Sequence, residues 1–180
     1  MTRLNRRTLF TSAAAALAAP SVVAASAATP RIVPLAGQVP AGQIHVVPDE
    51  FALNWTLPRR EAMKYDVGVA PQDRWEPGAY MIRRKAEWPR WTPTPAMIRR
   101  DLDKYGPYAD GMPGGGMNPL GARALYLYEN GRDTYLRIHG SPDNSGIGRR
   151  VSNGCVRMTN DDVRDLYTRV PTDTVVVLHA

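Results

Sequence analysis

Short runs rich in β-branched and aromatic residues, each bounded by proline, glycine or aspartate, recur along most of this chain, at 44–47, 51–57, 63–69, 79–84, 122–128, 134–138 and 174–178. Runs of this length and composition read as strands. Glu129-Asn130-Gly131-Arg132 joins two of them, and Asn-Gly is a strong signal for a two-residue hairpin turn. The clearest helical period is that of Val163, Leu166, Tyr167 and Val170, opened by Thr159 or Asn160 as a cap and closed by Pro171. The pattern therefore predicts a mainly β, antiparallel domain with one confident helix.

The first residues do not belong to that pattern. Arg3, Arg6 and Arg7 precede an apolar, alanine-rich run at 9–19, and Ala25-Ser26-Ala27 supplies a small-residue cleavage site. Residues 1–27 read as a signal peptide. The run is shorter than the roughly 20 residues a membrane span needs and meets Pro20, so no permanent membrane span is expected. Arg6-Arg7 followed by Thr8-Leu9-Phe10 resembles a twin-arginine export signal, with Asn5 where that signal usually has Ser or Thr. The expected destination is the periplasm or cell envelope.

Removing residues 1–27 removes three arginines and no acid, lowering the formal charge from +6 to +3. A charge of that size is an ordinary solvated surface and does not point to nucleic acid. About 150 residues remain, enough for one domain with a real core. Residues 28–42, rich in Pro, Ala and Gly, read as a linker or arm, with the fold beginning near Gln43.

Residues 88–120 form a long proline-rich loop with a helical turn around 96–102, and a loop of that length suggests a lid or substrate wall. Trp88, Trp91 and Tyr105 are candidates to line a groove beneath it. Gly114-Gly115-Gly116 lacks the Lys-Ser/Thr ending of a phosphate loop, which argues against a nucleotide site.

A single cysteine in an exported chain makes no internal disulfide, so Cys155 is either a small buried apolar residue or a reactive thiol. His139 stands 16 positions before it, and both are flanked by glycine and turn residues, so the intervening loop can bring them together. A nearby His raises the thiolate fraction, and a reactive Cys155 would alkylate well below about pH 8. Gly154 allows close backbone approach, and the N–H groups around Gly154 and Cys155 are candidate oxyanion donors. With one Cys and three His at no ligand spacing, no metal is expected; His45 and His179 carry no partner motif.

His139-Gly140-Ser141 followed by Ser152-Asn153-Gly154-Cys155-Val156-Arg157-Met158 resembles the signature of the L,D-transpeptidase (YkuD-type) catalytic domain. Trp91-Thr92-Pro93-Thr94-Pro95 and the stretch from Asn118 to Tyr126 are similar to its Gram-negative branch, and the resemblance covers residues 43–179. Asn153 departs from the His or Ser common in relatives, which bears on rate rather than class.

The resemblance implies a β-sandwich or partly closed barrel, Cys155 as nucleophile and His139 as general base and acid. Ser152, Gly154, Gly140 and Ser141 would support the pair, a Gly140 or Ser141 carbonyl orienting His139. Arg157 either binds a substrate carboxylate or ties the loop to the helix start. The implied substrates are peptidoglycan tetrapeptide stems, cross-linked 3→3 or joined to a protein, for which an outer-membrane protein is a candidate acceptor; water as acceptor gives an L,D-carboxypeptidase. Thiol acyl transfer needs no cofactor. A noncatalytic peptidoglycan-binding module is a rival of another class, disfavoured by the intact His139/Cys155 pair. A cysteine peptidase shares the chemistry, but no recognisable peptidase signature surrounds Cys155.

Overall fold

The computed structural model describes residues 30–180, and the export signal read over residues 1–27 lies outside them. One nine-stranded sheet dominates. Its strands in chain order are β1 (Arg31–Pro34), β2 (Ile44–Val47), β3 (Ala52–Leu57), β4 (Glu61–Asp66), β5 (Gly78–Glu87), β6 (Arg123–Glu129), β7 (Arg132–His139), β8 (Val156–Arg157) and β9 (Val175–Leu178). They lie in the order β1-β4-β3-β2-β9-β5-β6-β7-β8.

Among the described residues six of the eight strand pairings are antiparallel, as expected of a mainly antiparallel fold, and two are parallel, β2 with β9 and β7 with β8. In the first pair Ile44 stands opposite Val176 and Val46 opposite Leu178, so the buried rows of two alternating strands align. Alternation settles which face a residue takes. It does not identify the neighbouring strand.

A single buried cluster draws side chains from β2 to β9 and from the main helix, so the sheet curls around one core in a sandwich-like fold. Leu125, Leu127 and Ile138 are fully buried, each contributing about 1.5–3 kcal/mol. Reciprocal backbone bonds between Gly68 and Arg157 tie β8 to the stretch after β4 without closing a barrel.

The expected linker carries β1, which pairs antiparallel with β4 from Arg31↔Lys64 to Pro34↔Glu61. Four residues with Ile32 half exposed give no readable period, and Pro34 is tolerated because β1 is an edge strand. The Asn130-Gly131 turn forms as expected, both residues at positive φ (49° and 77°).

Three α-helices occur among the described residues: α1 (Pro95–Arg100), α2 (Leu102–Tyr105) and α3 (Asn160–Arg169). Thr94 caps α1, its side chain accepting from the Met97 N–H, and Asp101 caps α2. Thr159 caps α3, accepting from the Asp162 N–H. The helix buries Val163 and Leu166, and the Tyr65 hydroxyl donates to Asp165 at 2.7 Å, pinning α3 to β4. No helix among the described residues is long and apolar enough to cross a membrane.

Candidate active site

The pairing of β7 with β8 brings the two chemical residues to one face. Ile138 stands opposite Val156 and His139 opposite Arg157, so period-two alternation puts Arg137, His139, Cys155 and Arg157 on the same side. Ile138, Val156 and Leu136 point into the core. The loop from 140 to 154 is thus a detour whose ends meet at the sheet edge.

His139 is buried, and its Nδ1 donates to the Gly140 carbonyl at 2.6 Å. That bond fixes the proton on Nδ1 and leaves Nε2 as an acceptor. Burial lowers the His139 pKa to about 4, with the charges of Arg157 and Arg137 pushing the same way against the Gly140 carbonyl. Only glycine fits at 140, because a Cβ there would lie 2.4 Å from Asn160 Oδ1 and 2.9 Å from Val163 Cγ1. The start of α3 therefore presses on the turn that aims the histidine.

Cys155 is partly exposed, and its Sγ–H points at the Tyr135 carbonyl at 3.8 Å. Burial raises its pKa, opposed by the Arg137 main-chain N–H and by the Arg137 and Arg157 charges. Among the described residues no hydrogen bond joins Cys155 to His139, so the resting pair is a neutral thiol beside a neutral imidazole. This differs from the lowered thiol pKa expected of a reactive cysteine, because burial outweighs the nearby arginines.

The loop that carries Cys155 is braced from within. The Ser152 hydroxyl, fully buried, donates to the Cys155 carbonyl at 2.6 Å and accepts a long hydrogen bond from the Gly154 N–H at 3.4 Å. Gly154 sits at φ 126°, where a side chain is strained, and a Cβ would meet Leu136 at 3.1 Å. Among the described residues Ser141 makes no hydrogen bond to the histidine; its hydroxyl closes the next turn onto Asp143. The Arg157 main chain bonds Gly68, while among the described residues its guanidinium makes no hydrogen bond or ion pair, so it does not tie the loop to the helix start.

Two cavities meet at Cys155. The smaller, about 290 Å³, is lined by His139, Ser152, Cys155 and Arg157, with Trp91, Tyr105 and Tyr108 from the long loop forming an aromatic wall. The larger, about 800 Å³, shares Cys155 and Asn153 with it and is lined by six arginines against three carboxylates. Two of the three aromatics picked from the sequence thus face a cavity, while Trp88 is 44 % exposed and stacks against Arg164 instead.

The sequence reading missed Tyr135 and Arg137. Tyr135 adopts φ 64° beside an irregularity in the β6–β7 ladder, and its N–H bonds the Asp133 carboxylate. Arg137 binds Asp133 through two bonds of 2.7 and 2.9 Å and stacks over Tyr126. An Asp four residues before an Arg on a strand was the available signal; the bulge that aligns them was not. Elsewhere, His45 Nδ1 and His179 Nε2 lie 3.0 Å apart, and no group of three metal-binding side chains occurs among the described residues.

A family model for the YkuD L,D-transpeptidase catalytic domain matches residues 41–178. The chain belongs to this family. An Escherichia coli K12 relative, "Probable L,D-transpeptidase ErfK/SrfK", is 40 % identical over 115 residues, 62 % of this chain and 35 % of that protein, so the match spans about a third of the relative's length. The structure of L,D-transpeptidase 3 from Mycobacterium tuberculosis shares the fold, with TM-score 0.58 and 16 % identity, over 78 % of this chain and 62 % of that one. A Brucella melitensis structure described as a "Probable carnitine operon oxidoreductase" is 43 % identical with TM-score 0.58, covering 79 % of this chain and 88 % of that one. A doubly wound dinucleotide fold has a mostly parallel sheet with helices on both faces, unlike the sheet order found here.

Proposed function

We propose that this L,D-transpeptidase family domain transfers the acyl group of a peptidoglycan tetrapeptide stem through a thioester on Cys155, acting in the periplasm or cell envelope after export by a twin-arginine-like signal. The observation that carries the reading is the locked His139 tautomer, which leaves Nε2 free on a residue lining the same cavity as Cys155. An imidazole with pKa about 4 is unprotonated at neutral pH, so the Nε2 lone pair is unoccupied.

The steps balance with these groups alone. His139 Nε2 takes the Sγ proton, and the thiolate attacks the carbonyl carbon of the third stem residue. The Cys155 N–H, which makes no hydrogen bond among the described residues, and the weakly held Gly154 N–H are the donors for the oxyanion. Collapse breaks the bond to the terminal D-alanine nitrogen, which leaves with the proton held by His139. An acceptor amine then loses its proton to His139, forms the new amide and releases the thiolate, which is reprotonated. The acceptor is a neighbouring stem or a protein at the outer membrane; water in its place gives a carboxypeptidase.

The test is to incubate the mature protein, wild type beside Cys155→Ala, with disaccharide-tetrapeptide and weigh the muropeptides. A dimer lacking one D-alanine, made by the wild type alone, is the expected product. Tripeptide alone would move the reading to the carboxypeptidase or to a missing protein acceptor. No change and no adduct would leave a binding module.

A further inference from the structure

In the larger cavity two guanidiniums converge on a neutral acceptor. Arg74 Nη1 and Arg100 Nη2 both donate to one neutral oxygen, Asn153 Oδ1, at 3.0 and 2.7 Å. The Asn153 amide in turn donates to the Tyr105 hydroxyl at 3.2 Å. Arg74 Nε is buried with no hydrogen-bond partner, and its ion pair is a long one, 3.6 Å to the exposed Asp73 carboxylate. Among the described residues Arg100 has no ion-pair partner. Arg137 in the same cavity, by contrast, has its own carboxylate in Asp133.

A single amide oxygen is a weak acceptor for two cations, whereas a carboxylate offers two oxygens and a full charge and is the natural partner of paired guanidiniums. Both arginines, Asn153 and Cys155 line this cavity. Asn153 and Cys155 are two residues apart, no more than about 7 Å of chain. A carboxylate held there belongs to a group close to the reacting carbonyl.

The side on which His139 lies decides which substrate this is. His139 lines the smaller cavity and not the larger. The leaving amine must receive its proton from His139 and the entering amine must give one up to it, so both pass through the smaller cavity. The acyl portion that stays on sulfur then extends into the larger one.

Resting on the proposed transferase reading, we infer that Arg74 and Arg100 form a carboxylate subsite for the acyl donor, with the Asn153 amide oxygen as its resting occupant. The donor's carboxylate displaces Asn153, which also loosens the contact of the nucleophile loop with α1 and α2.

The test compares a tetrapeptide donor bearing free carboxylates on its acyl part with the same donor amidated there. Binding is measured by calorimetry to Cys155→Ala, which reads affinity without turnover, and acylation is measured on the Cys155 protein. Amidation is expected to weaken binding about tenfold, the scale of one lost charge-assisted bond. Arg74→Gln with Arg100→Gln should weaken the free-carboxylate donor about as much and leave the amidated donor unchanged. Asn153→Asp, which places the protein's own carboxylate between the arginines, should do the same. If Arg74→Gln fails to fold, Arg100→Gln alone, on an exposed side chain, carries the comparison. Equal affinity for the two donors, or equal weakening of both by the variants, overturns the subsite. Selective binding without any acylation of the Cys155 protein would keep the subsite and sink the transferase reading; acylation without selectivity would do the reverse.

Discussion

Replacing Gly140 by alanine tests how α3 aims the base. The added Cβ would sit 2.4 Å from Asn160 Oδ1, 2.9 Å from Val163 Cγ1 and 3.2 Å from the Ala122 nitrogen. Asn160 Oδ1 cannot simply retreat, because it accepts the N–H of the fully buried Ala122 at 2.8 Å. Rotating it away leaves that donor unsatisfied at a cost of about 1–3 kcal/mol, and the crowding against Val163 adds roughly 1–3 kcal/mol. A total near 3 kcal/mol lowers Tm by roughly 10 °C in a domain of this size. The strained turn also shifts the carbonyl that holds His139 Nδ1, so kcat should fall at least about tenfold with KM little changed. Differential scanning calorimetry and steady-state kinetics read the two effects. Asn160→Ala removes the clash and the Ala122 bond together, so adding it to Gly140→Ala should cost far less than its effect in the wild type. A Tm within about 2 °C of wild type, or additive effects in the double variant, would refute the reasoning.

Other outcomes follow from the same geometry. His139 has its pKa lowered to about 4 when folded and an ordinary value near 6.5 when unfolded, so it contributes nothing to pH dependence above 6.5. Below that the unfolded chain binds a proton that the folded one refuses, and stability drains away as pH falls toward 4, by about 3 kcal/mol in all. Urea unfolding at pH 7.5 and 4.5 should show this loss shrinking by that amount in His139→Gln; identical losses would contradict it. Ser152→Ala deletes the 2.6 Å bond to the Cys155 carbonyl, and should slow acylation about tenfold in stopped-flow assays with substrate affinity retained. Asp133→Asn removes the charge that pairs with Arg137 beside the thiol, so the pH profile of Cys155 alkylation should shift; an unchanged profile would show that Arg137 holds its place without that charge.

What the sequence disclosed was local. The alternation in Ile44 to Val47, the Asn130-Gly131 turn and the Thr159 cap each act over a few residues, and each formed as read. His139 and Cys155 stood out because the strings around them resemble the family signature; by themselves a lone cysteine and a lone histidine read as readily as packed structural residues. Long-range choices were not legible. Nothing in Val175 to Leu178 says that this strand inserts beside β2 in parallel, and Pro30 and Pro34 disguised β1 as linker. The larger cavity was hidden for the same reason: Arg74, Arg100 and Asn153 come from three separate segments and meet only when the 88–120 stretch packs against the loop carrying Cys155. The thiol's raised pKa likewise depends on burial, which no spacing reveals.

The central claim is that Cys155 carries the acyl group and His139 makes this possible. Intact-protein mass spectrometry after rapid mixing with disaccharide-tetrapeptide, followed by peptide mapping, tests it most directly. The account predicts a disaccharide-tripeptide adduct on Cys155 in the wild type, nearly abolished in His139→Gln and absent in Cys155→Ala. An adduct on another residue, or the same adduct forming at the wild-type rate without His139, would contradict it.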